Sequence, residues 1–332
     1  MKPNLQHILG ISDFRQKDLD YIISVADTIA RNPKRYAEVA KGKILATLFF
    51  EPSTRTRLSF ESAMLRLGGN VIGFSDMSTT SASKGETLED TARTVSCYSD
   101  LMAVRHPVPL SPHKMAAAAG VPVINAGDGA NEHPTQTLTD LVTIYRRFGR
   151  VDHLTIGLCG DLKYGRTVHS LIRMLSRYPG NRFVLISPPE LPMPTEIVEE
   201  LTAQGMDITE NSNLTAALPE LDILYMTRIQ RERFSDPEQY QRLKGCYILD
   251  SEKMEHAKAD MIVLHPLPRV DEITEDVDND PRAWYFKQAQ MGVFARMALI
   301  IKLLELNDLM TEDYIYVHPY QEYKSGRLQQ GA

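Results

Sequence analysis

The sequence predicts an α/β protein with two similar-sized domains, each a parallel β-sheet flanked by helices, and a C-terminal helix that returns to the first domain. The chain has 332 residues, and domains of about 100 to 200 residues make two the expected number. Short apolar runs alternate with helical patterns in both halves, which is typical of parallel strands joined by crossover helices. A last helical pattern has no strand after it, so we expect it to pack on the first domain.

The first half contains four candidate strands and three candidate helices in alternation. The apolar runs that predict strands lie at 44–50, 70–74, 101–104 and 121–125. The segments that favour helices lie at 54–67, 87–98 and 112–119. A further helix at 134–148 has helical spacing of Leu138, Leu141, Val142 and Tyr145, and it marks the domain boundary.

The second half repeats the alternation of strands and helices. Its candidate strands are 154–159, 182–186, 223–226, 247–250 and 262–264. Its candidate helices are 167–176, 195–204, 213–217 and a last amphipathic one at about 284–306. We therefore expect a first domain at 1–150 that includes the C-terminal helix at about 284–310, a second domain at 151–283, and a poorly ordered polar tail at 311–332.

The composition excludes several classes of protein. Hydrophobic residues make up 43% and charged residues 24% of the chain, which is globular rather than disordered. The formal net charge of −6 leaves no basic excess for a phosphate backbone, so a nucleic-acid partner is not expected. The cysteines, Cys97, Cys159 and Cys246, are odd in number and far apart, which favours a reducing compartment over a disulfide framework or a zinc site.

Neither a secretory signal nor a membrane span is predicted. The N-terminal residues lack a basic region followed by an apolar run. The longest apolar candidate, around 297–306, is interrupted by Lys302 and Glu305 and falls short of the roughly 18 residues that a span needs. We therefore expect a cytoplasmic protein without a membrane partner.

The first cluster of candidate site residues is Ser53, Thr54, Arg55 and Thr56, between a predicted strand and a predicted helix. Free N–H groups and the dipole of a helix N-terminus favour an anion, and the hydroxyls and guanidinium add donors. The alternative for such a segment alone is an ordinary N-cap with solvated arginines.

Other polar residues of the first half share the same topological position. Arg105 follows a predicted strand, and His133 and Gln136 lie at the start of the boundary helix. Ligands of open parallel sheets bind at the carboxyl ends of strands, so we expect these residues to meet Ser53–Thr56. His133 alone would more often be structural, and Lys84, in a Ser/Gly-flanked loop, would alone be solvated.

The second half offers two arginines suited to two carboxylates. Arg166 opens a predicted helix after the strand at 154–159, and Arg228 follows the strand at 223–226. The 265–269 segment, His-Pro-Leu-Pro-Arg, follows another strand, and its prolines leave backbone carbonyls free to accept from a ligand. The sequence lacks GxGxxG, metal-ligand spacing and a GxSxG elbow. We therefore expect no cofactor and no metal, and chemistry by charge stabilisation between two anionic small molecules.

Seven segments, in this order, resemble those of one enzyme family. They are Phe-x-Glu-x-Ser-Thr-Arg-Thr-Arg at 49–57, Ser-Lys-Gly-Glu-Thr at 83–87, Arg-His-Pro at 105–107, His-Pro-Thr-Gln at 133–136, Gly-Asp-Leu-Lys-Tyr-Gly-Arg-Thr-Val-His-Ser at 160–170, Tyr-Met-Thr-Arg at 225–228 and His-Pro-Leu-Pro-Arg at 265–269. From about residue 5 to 309 the chain is similar to catalytic chains of the aspartate/ornithine carbamoyltransferase family. Ornithine-specific members carry Cys at the position of Pro266, so the resemblance is to the aspartate-specific members.

The resemblance implies a role for each matching residue. Those assigned to carbamoyl phosphate are Ser53, Thr54, Arg55, Thr56, Arg105, His133, Gln136, Pro266, Leu267 and Pro268. Those assigned to L-aspartate are Lys84, Arg166, Arg228 and Gln230. The catalytic set among them is Arg55, Thr56, Lys84, Arg105 and His133, with Lys84 supplied by the neighbouring chain of a homotrimer whose sites lie at subunit interfaces.

The reaction that the resemblance implies is carbamoyl transfer from carbamoyl phosphate to the α-amine of L-aspartate, an early step of pyrimidine synthesis. Two alternatives stay open: another amino-acid acceptor such as ornithine, and a non-catalytic relative that only binds ligand. Segments at 163–165 and 265–273 are also similar to those of members that bind separate zinc-containing regulatory chains. A larger allosteric dodecamer with such chains is therefore a further hypothesis.

Overall fold

The computed structural model of the protein describes residues 6–77, 80, 84–229 and 237–306. Within these ranges the strands form two sheets, in which every strand pair is parallel. The first sheet contains β1 Ile44–Phe49, β2 Asn70–Phe74, β3 Leu101–His106 and β4 Val123–Asp128, in the order β2-β1-β3-β4. The second contains β5 Thr155–Cys159, β6 Arg182–Ile186, β7 Asp207–Asn211, β8 Ile223–Met226 and β9 Ile262–Leu264, in the order β7-β6-β5-β8-β9.

Helices flank both sheets and connect their strands. The helices of the described ranges are α1 Gln16–Arg31, α2 Thr54–Arg66, α3 Leu88–Ser96, α4 Ser111–Ala118, α5 Pro134–Phe148, α6 Arg166–Leu175, α7 Thr195–Ala203, α8 Leu214–Ala217, α9 Pro237–Leu243, α10 Ser251–Met254 and α11 Tyr285–Leu303. Central strands such as β3 and β5 are buried nearly end to end, because helices cover both faces of the sheets. The predicted fold class is confirmed.

Each sheet has one point where the strand order reverses. In the first sheet it lies between β1 and β3, and in the second between β5 and β8. Connections leave two such neighbouring strands towards opposite faces, which opens a crevice beyond their carboxyl ends. The residues that follow β1, β5 and β8, with those at the end of β3, are therefore placed to form a binding site.

The C-terminal helix α11 returns to the first domain, as predicted. It packs against α1, α2 and α5, and Met297, Leu299 and Ile301 are fully buried. The helix is buried on most of its sides, whereas a single apolar stripe was expected, because three helices surround it. Its burial makes α11 part of the first domain's hydrophobic core.

The structure differs from the prediction at one strand, and it contains elements that the prediction omitted. The segment 247–250 is not a strand: Leu249 forms only an isolated bridge with Ile273, and its apolar side chain is buried without a ladder. β7 was not predicted, because this edge strand exposes Asp207 and Glu210 and has no apolar run. The prediction also omitted α1, although its apolar residues have helical spacing.

The structure revises the bounds of two strands near the predicted site. β3 extends to His106, so Arg105 lies within the strand rather than after it, and β4 begins at Val123 and ends at Asp128.

No helix in the described ranges is long and apolar enough to cross a membrane. The predicted polar tail at 311–332 lies outside the described residues.

Candidate active site

A cleft of about 1170 Å³ lies between the two sheets, and we refer to it as the interdomain cleft. Its walls come from the N-termini of α2, α5 and α6, the ends of β3 and β8, and the 265–268 segment. The predicted site residues that line it are Ser53, Thr54, Arg55, Thr56, Arg105, His133, Gln136, Arg166, Arg228, Pro266, Leu267 and Pro268. The structure thus brings together residues that are more than 200 positions apart in the chain.

Of the two remaining predicted residues, the structure describes only one. Lys84, which the structure describes as exposed, does not line the interdomain cleft. Gln230 lies outside the described residues. The predicted role of Lys84 at a neighbouring chain and that of Gln230 both stay predictions.

The N-terminus of α2 forms one end of the interdomain cleft. Ser53 is the N-cap residue, yet its hydroxyl accepts no hydrogen bond from the first turn of this fully described helix. The first-turn residues Thr54, Arg55 and Thr56 line the cleft, and the first N–H groups of a helix have no acceptor within it. This arrangement provides backbone donors, hydroxyls and a cation for a small anion.

Arg105 is directed into the interdomain cleft by a bulge between β3 and β4. Val104 pairs with Asn125 and His106 with Asp128, so two residues of β4 oppose Arg105 alone. Its Nη1 donates to the backbone oxygen of Ala126 at 3.3 Å. Its Nε lies 2.8 Å from Glu51 Oε1 in an ion pair, so Glu51, which sequence reasoning missed, orients this guanidinium.

The glycine at the bulge makes room for two guanidinium groups. Gly127 has a φ of +119°, which disfavours a side chain, and a Cβ there would lie 2.7 Å from Arg105 Nη1 and 3.5 Å from Arg166 Nη2. Arg166 begins α6 of the second domain, and its Nη1 donates to the backbone oxygen of Gly129 in the first. The two arginines therefore meet across the domain boundary.

Positive charge accumulates at the centre of the interdomain cleft. The pKa of Arg55 is lowered by partial burial and by repulsion from Arg105 and Arg228. With Arg166 and Arg296, five arginines thus line one cleft of an acidic protein. Such a cluster favours small ligands with several negative charges, including phosphate and paired carboxylates.

His133 is buried beside these cations at the start of α5 and is 7% exposed. Its Nε2 lies 3.3 Å from Thr56 Oγ1, and its Nδ1 lies 3.3 Å from Thr135 Oγ1. Burial, followed by repulsion from Arg166, Arg105 and Arg296, holds the pKa of His133 well below its usual value of 6.5. The imidazole is therefore neutral and able to donate one hydrogen bond to a ligand oxygen.

We expect the His133 imidazole to remain neutral throughout the range from about pH 6 to pH 9, because burial and nearby arginines oppose its protonation. The measurement is NMR of the protein with ¹³C-labelled histidine, and the His133→Asn variant identifies the signal. The other histidine signals of the same sample serve as the internal control. A His133 signal that titrates with a midpoint near 6.5 would contradict this assignment.

The 265–268 segment forms the opposite wall of the interdomain cleft. Leu267 has a φ of +56°, and the Leu267–Pro268 peptide bond is cis. His265 holds the segment: its Nδ1 accepts from Leu267 N–H at 2.8 Å, and its Nε2 lies 2.7 Å from Glu272 Oε1. Since Nδ1 accepts, Nε2 carries the proton and donates a hydrogen bond to Glu272.

Sequence reasoning missed several buried polar residues beneath the cleft. Arg296 of α11 is 4% exposed, lines the floor, and its Nη1 donates to Gly292 O at 2.9 Å and Thr139 Oγ1 at 3.2 Å. Asp140 of α5 is fully buried. A charged residue in a largely apolar predicted helix was the signal that could have identified Arg296. Asp140 gave no such signal, because it lies opposite the predicted apolar face of its helix.

Family models match both halves of the chain. Residues 6–146 match the model described as aspartate/ornithine carbamoyltransferase, carbamoyl-P binding domain. Residues 152–303 match the model described as aspartate/ornithine carbamoyltransferase, Asp/Orn binding domain. The junction between the two matches falls at the C-terminal end of α5.

Individual relatives match over nearly the whole chain. The aspartate carbamoyltransferase catalytic subunit of Clostridium novyi is 58% identical over 299 residues, which are 90% of this chain and 98% of that protein. The catalytic subunit of M. jannaschii aspartate transcarbamoylase has a TM-score of 0.86 at 46% identity, covering 92% of this chain and 99% of that one.

A third relative was solved with ligands. The aspartate transcarbamoylase of Trypanosoma cruzi, in complex with carbamoyl phosphate and aspartate, has a TM-score of 0.83 at 40% identity and covers 90% of this chain and 98% of that one. Sequence, fold and both family models thus agree over the same stretch that builds the interdomain cleft. On these grounds the chain belongs to the aspartate/ornithine carbamoyltransferase family.

Proposed function

We propose that this protein transfers the carbamoyl group of carbamoyl phosphate to the α-amine of L-aspartate, giving N-carbamoyl-L-aspartate and phosphate. The observation that carries the proposal is the convergence of five arginines with the N-terminus of α2 in the interdomain cleft. Both proposed substrates are anions, and an acidic protein concentrates its cations here. The similar catalytic subunits of known aspartate carbamoyltransferases support the choice of reaction.

The phosphate of carbamoyl phosphate is assigned to the N-terminus of α2. Ser53 and Thr54 supply hydroxyls, and Arg55 supplies a cation next to the free first-turn N–H groups. Charge-assisted hydrogen bonds to phosphate are stronger than neutral ones. The same donors stabilise the phosphate as it leaves, when its negative charge increases.

The carbonyl of the carbamoyl group is assigned to Thr56, Arg105 and His133. These groups lie together, with Thr56 Oγ1 3.3 Å from His133 Nε2. Donors preorganised around a developing oxyanion typically contribute the largest share of catalysis in acyl transfer. Gln136 and the backbone carbonyls of Pro266 and Leu267 accept from the carbamoyl NH₂, and Pro268 holds the turn.

The two carboxylates of L-aspartate are assigned to Arg166 and Arg228, at the start of α6 and after β8. Lys84 of a neighbouring chain and Gln230 complete this set in the proposal. The carbamoyl-phosphate domain then comprises 1–150 and the helix at 284–310, and the aspartate domain comprises 151–283. Paired arginines suit a dicarboxylate better than the diamino acid ornithine.

The proposed reaction needs no covalent enzyme intermediate. The uncharged α-amine attacks the carbamoyl carbon, a C–N bond forms, and the C–O bond to phosphate breaks. The amine gives up one proton, and the departing phosphate is positioned to take it. Holding both anions in one cleft supplies an entropic advantage that reaches about 7 kcal/mol in favourable intramolecular models.

The biological setting is proposed from the same resemblance. We place the reaction in pyrimidine synthesis, in a homotrimer whose sites use Lys84 across subunit boundaries. Association with zinc-containing regulatory chains in a larger allosteric complex and a cytoplasmic location remain predictions. Size measurement of the purified protein, with and without a co-purified small chain, tests the assembly.

The direct test of function is product formation from carbamoyl phosphate with L-aspartate or L-ornithine. The ureido product is measured by its colour reaction and identified by mass spectrometry. We expect N-carbamoyl-aspartate from L-aspartate and little product from ornithine. Product with ornithine alone would favour the other acceptor, and ligand binding without any product would favour a non-catalytic relative.

Arg228→Ala is expected to raise the KM for aspartate by about tenfold or more, because a substrate carboxylate loses its charged partner in a half-buried site. The affinity for carbamoyl phosphate alone, measured by calorimetry, stays nearly unchanged. Arg173→Ala, which removes a half-buried arginine paired with Glu200 on α7, is the matched control. A large loss of carbamoyl-phosphate affinity in Arg228→Ala would contradict the division of the cleft into two subsites.

A further inference from the structure

Asp140 accepts hydrogen bonds from side chains on three different elements. This carboxylate lies on α5, one turn after Gln136, and is fully buried. Its Oδ1 accepts from Gln136 Nε2 at 2.9 Å and from Gln288 Nε2 of α11 at 2.6 Å. Its Oδ2 accepts from the Tyr225 hydroxyl of β8 at 3.0 Å. Asp140 itself does not line the interdomain cleft among the described residues.

Each of these three partners leads to a different wall of the cleft. Gln136 lines the part assigned to the carbamoyl group. Gln288 accepts the backbone N–H of His265 through its Oε1 at 2.9 Å, directly before the 265–268 segment. Tyr225 lies three residues before Arg228, and its hydroxyl also hydrogen-bonds Thr167, the neighbour of Arg166.

The carboxylate also determines which way both amides point. Gln136 and Gln288 both turn their NH₂ groups towards Asp140, because its Oδ1 accepts from the Nε2 of each. The Gln288 carbonyl oxygen then accepts from His265. The Gln136 amide, whose NH₂ is used by Asp140, keeps its carbonyl oxygen for the carbamoyl NH₂ in the proposed reaction. A hydrocarbon side chain at position 140 would impose neither orientation.

Packing alone gives no reason for a charge at this position. Burial raises the pKa of Asp140 to about 7, so the surroundings oppose the charged form. Arg296, the charged neighbour of Asp140, is directed to Thr139 and Gly292 rather than to its carboxylate. Buried polar networks of this kind restrict their members to one arrangement when every member is satisfied.

We propose that Asp140 is a positioning residue that couples the two substrate pockets across the domain boundary. It orients Gln136 for the carbamoyl group. Through Tyr225 it holds the end of β8 before Arg228, and through Gln288 it holds the 265–268 segment. This inference rests on the proposed function for the identity of the ligands. The coupling itself is a property of binding and is measured without turnover.

The test uses Tyr225→Phe, which removes one oxygen from the network and leaves every residue of the cleft wall in place. Tyr178→Phe is the matched control, because Tyr178 is also buried in the second domain and, like Tyr225, does not line the described cleft. The probes are carbamoyl phosphate and succinate, a dicarboxylate that has no amine and cannot react. Calorimetry gives the affinity for succinate with and without saturating carbamoyl phosphate.

We expect carbamoyl phosphate to raise succinate affinity in the wild type, within the fivefold to 150-fold range that is typical of about 1–3 kcal/mol of coupling. In Tyr225→Phe most of this increase is lost, while affinity for carbamoyl phosphate alone changes by less than about twofold. The kcat/KM for aspartate falls by about tenfold, as for one lost hydrogen bond to a charged group. Tyr178→Phe retains the wild-type coupling.

Asp140→Asn separates charge from geometry. Its amide oxygen can still accept from both glutamines and its NH₂ group can donate to Tyr225, so we expect partial coupling and activity. Asp140→Ala is expected to lose both the coupling and the activity. If this variant does not fold, the result for Tyr225→Phe decides whether the network couples the two pockets.

The inference is overturned if the wild type shows no coupling, or if Tyr225→Phe and Tyr178→Phe show the same coupling, whatever their melting temperatures. A wild type that forms no N-carbamoyl-aspartate overturns the proposed function instead, and the succinate measurement still decides the role of the network.

Discussion

Arg55→Ala is expected to lower kcat by about 10²- to 10³-fold at saturating substrates, with little loss of folding stability. Arg55 lies in the first turn of α2 and lines the interdomain cleft. Removing one preorganised donor from a developing negative charge typically costs about 2.7–4 kcal/mol in the transition state. Its pKa is lowered by partial burial and by repulsion from Arg105 and Arg228. Because these neighbours repel Arg55 when no anion is bound, the side chain adds little to the free energy of unfolding.

The measurement is steady-state kinetics with both substrates, together with thermal unfolding. Arg31→Ala, at the exposed end of α1, is the control for removal of an arginine outside the cleft, and it should keep wild-type turnover. If Arg55→Ala retains near-normal kcat at saturation, the phosphate does not bind at the N-terminus of α2 and that assignment fails.

Lys84→Ala is expected to be nearly inactive, and its activity should return in part when it is mixed with Arg55→Ala chains. Lys84 is exposed and lies outside the described wall of its own cleft, so its substrate contact is expected at a neighbouring chain. In a cyclic trimer each mixed assembly joins one intact pocket to one intact Lys84 loop. Equal mixing makes about three-quarters of trimers mixed, each with one restored site in three, so roughly a quarter of wild-type activity returns.

The two variants are dissociated, mixed and reassociated, and chains of different mass confirm that mixed trimers form. Each variant reassociated alone is the control and should stay inactive. If Lys84 serves its own chain, every site keeps one defect, and mixed trimers recover no activity. That result would remove Lys84 from the shared site.

Most of the sheet architecture could be predicted because strands buried on both faces appear in the sequence as continuous apolar runs. β6, β8 and β9 have the predicted bounds. The edge strand β7 could not be found in this way, since its exposed side chains are polar. The 247–250 segment shows the converse: apolar residues can be buried without belonging to a ladder, and periodicity does not distinguish the two cases.

Most of the predicted residues that line the cleft could be found because they follow apolar runs at positions where parallel strands end. The network beneath them could not. Asp140 meets Tyr225 across 85 residues and Gln288 across 148 residues, so its local sequence contains none of these partners. Only the fold brings together a buried carboxylate and its donors.

The return of α11 to the first domain separates the order of synthesis from the order of folding. The helix that completes the core against α1, α2 and α5 spans Tyr285–Leu303 and comes after the whole second sheet in the chain. A chain emerging from the ribosome therefore has every strand of its second sheet before the first domain can bury these helices. Until then the faces of α1, α2 and α5 that α11 covers stay unburied, and the domain made first is the one finished last.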